Sequence, residues 1–260
     1  MFMSSLPDKI FGIDIEEAYQ KILSEKEPDK PPRRDSPSNP RTKKQKAISI
    51  QGVNLADYIF MPSYDLYVAK ERILQGKNWF DAHKEAHKQN ARMLTIREFV
   101  DFLNQVKEGK AEDGLGNKIS KSELDKIYKD ITEQRNPWRS EWLDADFKVV
   151  NGVLQINYNH KIVNKKLVPQ NSELLESCLM QDRLPGIDIE FLLKNANKQG
   201  FPPTNIPGGD LWYFYPRGDN NSVARFYARA GRVDLGCNWD PLNSYSAFGV
   251  RLAKIFGGTK

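Results

Sequence analysis

The apolar residues between positions 78 and 131 recur at the spacing of amphipathic helices. The first predicted helix follows Asn78, a residue type that favours the N-cap position. Two more helices are predicted after Thr95 and Ser120, because each is followed three residues later by a glutamate, which is the capping-box pattern. The three apolar stripes consist of Trp79, Ala82, His83 and Ala86, of Phe99, Phe102, Leu103 and Val106, and of Leu124, Ile127, Tyr128 and Ile131.

The flanking regions carry the signals of β-structure. Residues 47–68 are rich in Ile, Val, Tyr and Phe, and predict strands with a turn at Met61-Pro62-Ser63. The dipeptide Asn151-Gly152 lies between two apolar runs and predicts a hairpin. Residues 172–193 favour a return to helix, interrupted at Pro185-Gly186. The predicted fold class is α+β, with two or more helices packed on an antiparallel sheet.

The first 46 residues are predicted to form a part separate from the main domain, residues 47–260. Residues 9–23 place apolar side chains at helical spacing and predict a short amphipathic helix that needs a surface to lie on. Residues 24–46 contain five prolines and no aromatic residue, which is typical of an extended linker.

The charge of the chain is concentrated in this linker. Residues 28–46 hold seven cations and two anions, so they account for the whole formal net charge of +5. The remainder sums to zero, and we therefore expect no nucleic-acid binding by the main domain. The linker is interpreted as a solvated tether, and attachment to an acidic partner or to nucleic acid is the alternative.

Two localisation signals are missing from the sequence. No apolar run approaches the ~20 residues that a membrane span needs. Residues 1–19 lack a secretory pattern. We therefore expect no signal peptide and no transmembrane segment, which fits a cytoplasmic or a virion-associated protein. Cys178 and Cys237 cannot form a disulfide scaffold, and they are expected to be reduced, buried and inert.

The last fifth of the chain has a distinct composition. Residues 200–253 contain no Lys, Glu, Gln, Met or His, although the whole chain has 25 Lys and 15 Glu. From Gly200 onward, glycine and proline are frequent and helix-forming residues are scarce, so we expect β-structure and loops to the end. The residues that remain, mainly Tyr, Trp, Arg, Asn, Ser, Gly and Asp, are those that binding surfaces use.

Period-two alternation in this window predicts two half-buried strands, at residues 224–229 and 233–238. The residues expected to be buried are Val223, Phe226, Val233, Leu235, Phe248 and Val250. The residues expected to face solvent and bind a ligand are Tyr227, Arg229, Arg232, Asp234, Gly236, Asn238, Trp239, Asp240, Leu242, Asn243, Tyr245, Ser246 and Ala247. Five of these are predicted to contribute most binding energy, namely Tyr227, Arg229, Arg232, Trp239 and Tyr245.

The framework of this window resembles a known family. The run Val223-Ala224-Arg225-Phe226-x-Ala228, then Val233-x-Leu235-x-Cys237, Pro241, Ser244 and Phe248-Gly249-Val250-Arg251 is similar to the variable region of diversity-generating retroelement target proteins, of the archaeal and archaeal-virus group. Trp79-x-x-Ala82 with Met93-Leu94-Thr95-Ile96-x-Glu98-Phe99 resembles the first two helices of the C-type lectin fold that such proteins use.

The resemblance implies a ligand-binding display protein with a variable region near residues 223–251. In that family, the retroelement mutates adenines, mostly in Asn-type codons, which yields Tyr, Arg, Asp, Gly, Leu, Ser, Ala or Asn. The amino acids missing from the window fit this rule, whereas Trp239 departs from it. The implied partner is a protein or surface ligand of unknown identity.

Two other functions remain open at the level of the sequence. One is an oxidase similar to formylglycine-generating enzymes, which share the lectin-like fold and would use Cys237. The other is a structural or assembly protein whose residues 9–23 dock on a carrier. His83 and His87 have the i, i+4 spacing of a zinc pair, but no third ligand is evident because His160 stands alone. We therefore expect no metal site, no cofactor and no catalytic residue.

Overall fold

The computed structural model describes residues 53–256 and the backbone of the strands β1 (Lys9–Ile10) and β2 (Ile13–Asp14). By compactness, the chain divides into two units, Met1–Lys46 and Ala47–Lys260. In the first unit, β1 and β2 pair antiparallel, so the helix predicted over residues 9–23 is wrong at its start. A helix of that length is marginal unless it is packed on a surface. The rest of that prediction and the linker lie outside the described residues.

Four α-helices form within the described part of the second unit: α1 (Trp79–Lys88), α2 (Ile96–Glu108), α3 (Lys121–Thr132) and α4 (Ile189–Asn195). The first three confirm the sequence prediction. Asn78 Oδ1 accepts a hydrogen bond from Asp81 N at 2.8 Å and begins α1. Thr95 and Glu98 form the complete capping box of α2, and Ser120 Oγ accepts from the backbone of Glu123 at the start of α3.

The strands of the second unit are short except for one. In chain order they are β3 (Tyr58–Met61), β4 (Leu66–Ile73), β5 (Arg139–Val150), β6 (Val153–Tyr158), β7 (Lys161–Val163), β8 (Lys166–Val168), β9 (Asn171–Leu174), β10 (Arg183–Ile187), β11 (Leu211–Phe214), β12 (Ser222–Arg229), β13 (Arg232–Trp239) and β14 (Phe248–Lys254). The predicted turn after β3 and the Asn151-Gly152 hairpin between β5 and β6 are both confirmed.

Ten of these strands form one mixed sheet. Its main path runs β10-β11-β13-β12-β5-β14-β4-β3, while β6 branches from β5 and carries β9 at its other edge. The pairs β11–β13 and β5–β14 are parallel, and the other pairs of this sheet are antiparallel. The fold is therefore α+β, but the sheet is mixed and not purely antiparallel. The strands β7 and β8 form a separate hairpin.

The main hydrophobic core lies between one side of this sheet and the helix α2. Helix α2 contacts α3, α4 and β5. The rings of Phe99 on α2 and Phe226 on β12 have centroids 5.1 Å apart. Among the described residues, no helix has both the length and the apolar character that a membrane crossing requires.

The helix predicted over residues 172–193 is mostly wrong. This stretch contains β9 and β10, and only α4 at its end is helical. Pro185 and Gly186 lie inside β10, where a Cβ on Gly186 would stand 2.0 Å from the carbonyl oxygen of Leu211. Tertiary pairing with β11 therefore overrides the local helical preference, since only glycine permits the neighbouring strand to approach so closely.

Candidate ligand-binding face

The hairpin of β12 and β13 has two chemically different sides. Register pairs Phe226 with Leu235 and Tyr227 with Asp234. The inner side belongs to the main core and consists of Ala224, Phe226, Ala228, Val233, Leu235 and Cys237. All six framework residues predicted to be buried are buried. Phe226, Val233 and Leu235 belong to the main core. Val223, Phe248 and Val250 belong instead to a second apolar cluster, together with Trp79 and Trp142.

The outer side carries a stack of arginine and aromatic side chains. We call it the outer layer; its members are Trp212, Arg225, Tyr227, Arg232 and Trp239. The Arg225 guanidinium carbon lies 3.5 Å from the ring centroid of Trp239 and 4.1 Å from that of Tyr227. Arg232 lies 4.9 Å from the ring centroid of Trp212. Such cation–π contacts strengthen when the cation is removed from water.

Asp234 lies beneath the outer layer and is fully buried. Its Oδ2 atom is 3.0 Å from Arg232 Nε, and its Oδ1 atom is 4.0 Å from Arg225 Nη2. Neither contact meets hydrogen-bond geometry, so these are charge contacts without directed bonds. Burial raises the pKa of the Asp234 carboxyl even though both arginines oppose the shift. Burial also lowers the pKa of Arg225 to about 10.

Three of the predicted solvent-facing residues are in fact buried, namely Tyr227, Asp234 and Gly236. The alternation correctly placed them on the outer side, but the exposure prediction is wrong. Large neighbours of the outer layer cover them. At Gly236, a Cβ would already meet Asp234 Oδ1 at 3.3 Å and Arg225 Nε at 3.8 Å. The outer layer is therefore a second packed layer, and the solvent boundary lies beyond it.

The other ten predicted residues reach solvent at least in part. Arg229 is exposed at the end of β12, and Leu242 and Tyr245 are 65% and 55% exposed in the loop after β13. The partly exposed or exposed set is Arg229, Arg232, Asn238, Trp239, Asp240, Leu242, Asn243, Tyr245, Ser246 and Ala247. Eight of them lie between residues 238 and 247, at the end of β13 and in the loop that follows it. The other two, Arg229 and Arg232, lie at the end of β12 and at the start of β13.

The loop of residues 240–247 is held by its backbone. Pro241 O accepts a hydrogen bond from Trp79 N at 3.0 Å, and Ala247 O accepts from Ser140 N at 3.0 Å. Within the loop, the Asp240 side chain accepts from Leu242 N at 2.9 Å. The first two bonds do not involve loop side chains, so changes of those side chains leave them in place.

Aromatic rings connect this loop to the framework. The Trp138 ring centroid lies 5.8 Å from that of Tyr245 and 5.4 Å from that of Tyr227, both in edge-to-face geometry. Tyr245 also stacks near Phe248 at 5.8 Å, and Phe248 stacks on Trp142 at 4.2 Å. The exposed Tyr245 therefore stands on a rigid aromatic base, which lowers the entropy cost of using it in a contact.

A second group of side chains was not predicted from the sequence. His83, Asp144 and His160 come together although they are far apart in the chain, and all three are buried. Burial lowers the pKa of His83 to about 4. Burial alone also lowers the pKa of His160, but the nearby carboxylates of Asp144 and Asp146 outweigh it and raise that pKa to about 9. The expectation that His83 packs while His87 faces solvent is confirmed, whereas His160 is not alone.

The two cysteines are free and buried, as expected. Cys237 lies on the inner side of β13, and burial raises the pKa of its thiol well above the usual value. Burial also raises the pKa of Cys178 to about 11. A thiol held in its neutral form inside the core is a poor nucleophile and a poor metal ligand. This arrangement gives no support to thiol chemistry at Cys237.

No family model, curated protein or solved structure matches this chain.

Proposed function

We propose that this chain is a ligand-binding display protein with a C-type lectin-like fold. Residues of the outer side, from Arg229 to Ala247, would contact the ligand, and a retroelement would diversify them. The rest of the domain would act as a scaffold that tolerates these changes. The partner would be a protein or surface ligand.

The observation that carries the proposal is the backbone support of the loop at residues 240–247. Its two ends are fixed by main-chain bonds to α1 and β5, through Pro241 and Ala247. Its side chains at Leu242, Tyr245 and Ser246 point into solvent. A loop with this support can change its side chains while it keeps its shape, which is what a display surface requires.

The two segments that carry the family resemblance also contact each other. Trp79, at the start of the upstream segment, donates its backbone N–H to Pro241 in the downstream one at 3.0 Å. Phe99 packs against Phe226 at the other end of the same two segments. The proposal of one lectin-like unit requires such contact, because a variable region without a scaffold beneath it could not keep its shape.

The burial of three candidates narrows the proposed surface. These three residues, Tyr227, Asp234 and Gly236, would affect ligand binding indirectly. They would do so by holding Arg225, Arg232 and Trp239 in position. Substitution at these three positions would therefore affect stability as well as binding. The side chains that can change most freely are those of Arg229, Leu242, Tyr245 and Ser246.

A combined substitution tests whether the exposed surface is independent of the fold. The variant Arg229→Ser, Leu242→Ser, Tyr245→Asn and Ser246→Ala uses amino acids that the resemblance permits. We expect its thermal midpoint to stay within about 4 °C of that of the parent chain, since exposed substitutions cost little. The matched control is Val223→Ala with Val250→Ala, two buried framework changes that should lower the midpoint several times more. Equal losses in both variants would contradict the proposal of a display surface.

The neighbouring DNA tests the diversification itself. We expect a reverse-transcriptase gene beside a near copy of the codons for residues 223–251 that differs mainly at adenines. If the locus holds neither, the retroelement part of the proposal fails, while the binding surface can still be tested by the variant above.

A further inference from the structure

The histidine–aspartate cluster brings together residues from three separate elements. His83 lies on α1, Asp144 lies in the middle of β5, and His160 lies between β6 and β7. One donor atom from each lies within 4.8 Å of the others. Three buried nitrogen and oxygen donors at this separation are the start of a metal coordination sphere.

One ring nitrogen of His83, Nε2, has no hydrogen-bond partner within the described residues. It is buried and lies 3.6 Å from Asp144 Oδ1, too far for a hydrogen bond. Two ligands of one tetrahedral zinc ion lie about 3.3 Å apart. The separation of these two atoms is therefore close to what a shared ion would set, and it would satisfy an atom that is otherwise unsatisfied.

His160 has the environment of a metal-binding histidine. Its Nε2 atom lies 3.2 Å from Asp146 Oδ1, and its backbone N–H donates to Asp144 Oδ2 at 3.0 Å. A carboxylate on one ring nitrogen leaves the opposite nitrogen to the metal, which is the usual second-shell arrangement. That opposite nitrogen, Nδ1, faces Asp144 Oδ1 at 2.5 Å.

The cluster also has a route to solvent. A cavity of about 570 Å³ is lined by both His83 and His160, whereas Asp144 is fully buried and does not line it. Trp79 closes the other side, with its ring centroid 4.3 Å from that of His83 and 5.1 Å from that of His160. An ion could therefore enter from the cavity and keep one open position there for water.

We propose that His83 Nε2, Asp144 Oδ1 and His160 Nδ1 bind a divalent transition-metal ion of the zinc class. Binding replaces the proton between His160 Nδ1 and Asp144 Oδ1, and that proton leaves to solvent. The two atoms must then move apart by about 0.8 Å to reach the ligand separation of one ion. This site is separate from the proposed ligand-binding face. It shares His83 with the helical pair of His83 and His87, but its second histidine is His160.

The test uses the full chain after dialysis against EDTA. Co²⁺ is the first probe, because imidazole-bound cobalt has a visible ligand-field absorption, and ZnCl₂ in a calorimetric titration is the second. We expect one ion per chain, with zinc displacing cobalt. Absence of saturable binding of either metal up to about a millimolar would overturn the proposal.

Variants then assign the ligands. His83→Gln and His160→Gln should each weaken binding on the order of 100-fold, because each removes a ligand. His87→Gln is the matched control on the same helix and should bind as the parent chain does. If His87→Gln loses binding and His160→Gln retains it, the helical pair holds the metal and the assignment is wrong.

A measurement on the unmodified chain covers the case in which a variant does not fold. In imidazole ¹⁵N NMR, addition of Zn²⁺ should shift Nε2 of His83 and Nδ1 of His160, with the His87 nitrogens unchanged. Shifts confined to His87, or no shift at His83 and His160, would overturn the proposal.

Discussion

The two sides of the β12–β13 hairpin are both buried, but they are stabilised in different ways. On the inner side, Phe226 and Leu235 belong to an apolar core. On the outer side, Arg225 is stacked between Trp239 and Tyr227, and several polar atoms have no hydrogen-bond partner within the described residues. Burial alone therefore does not distinguish the inner side of this hairpin from the outer side. The two sides differ in side-chain chemistry, since the inner side is apolar whereas the outer layer holds polar atoms just beneath the solvent boundary.

The loop of residues 240–247 differs from both sides of the hairpin. Its contacts with the scaffold include main-chain bonds, the Arg72 side chain on Ala247 O, and the rings of Trp138 and Phe248 beneath Tyr245. Exposed side chains of the loop without such ring contacts, such as Leu242, therefore carry little stability. The three regions thus form a series: the inner core, the outer layer and the exposed loop. Substitutions should have effects that decrease along that series. One prediction for each region tests this, and two more concern a buried ion pair of the framework.

The largest effect is expected at the inner side. Phe226→Ala should lower the free energy of unfolding by about 3–5 kcal/mol, because it leaves a cavity against Phe99. Urea denaturation with a linear extrapolation measures this loss. A loss below about 1 kcal/mol would mean that the inner side is not a packed core.

A buried ion pair of the framework should come next. Glu141 accepts from Arg251 Nη2 at 2.9 Å and from Arg251 Nε at 3.3 Å, and it also contacts Arg139. Glu141→Gln should cost about 3 kcal/mol, because it leaves buried arginines without their counter-charge. Denaturation at neutral pH measures the loss, and Glu85→Gln, a partly exposed glutamate of α1 that pairs with Lys88, is the control.

The same residue predicts a dependence on pH. Burial alone raises the pKa of Glu141, but Arg251 and Arg139 outweigh it and hold that pKa below 4.5. Its contribution is therefore fully present above about pH 4.5 and is lost as the pH falls through the lowered folded value. The stability difference between the parent chain and Glu141→Gln should shrink with acidification. A difference that stays constant down to pH 3 would contradict this assignment.

The outer layer should show an intermediate effect. Tyr227→Ala should cost about 2 kcal/mol, because it removes one of the two rings that enclose Arg225. The sequence-based expectation placed Tyr227 in solvent, where its loss would cost little stability. Tyr227→Phe keeps the ring and should cost under about 0.5 kcal/mol. Equal losses in the two variants would show that the hydroxyl, and not the ring, is what matters.

The smallest effect is expected in the loop. Leu242→Ser should change the free energy of unfolding by less than about 0.5 kcal/mol, since the Leu242 side chain is largely exposed. The same denaturation experiment measures it. A loss as large as that of Tyr227→Ala would mean that the loop supports the fold.

Much of the secondary structure could be predicted because its signals are local. Thr95 and Glu98 form a capping box within four residues, and Asn151-Gly152 forms a turn within two. The helix predicted at residues 172–193 failed for the opposite reason. There, β10 pairs with β11, some thirty residues further along the chain, and local preference carries no information about that partner.

The sequence by itself determined which side of β12 and β13 the residues 224–229 and 233–238 occupy, since side chains alternate with a period of two. It also determined the position of the charge and the break in composition at residue 200. Only the tertiary structure decided how deep the outer residues lie, because Trp212, Arg232 and Trp239 come from different strand positions and together cover Asp234. It also decided that His160 meets His83 and Asp144. Contacts between distant segments depend on the packing of whole elements, and no local pattern encodes them.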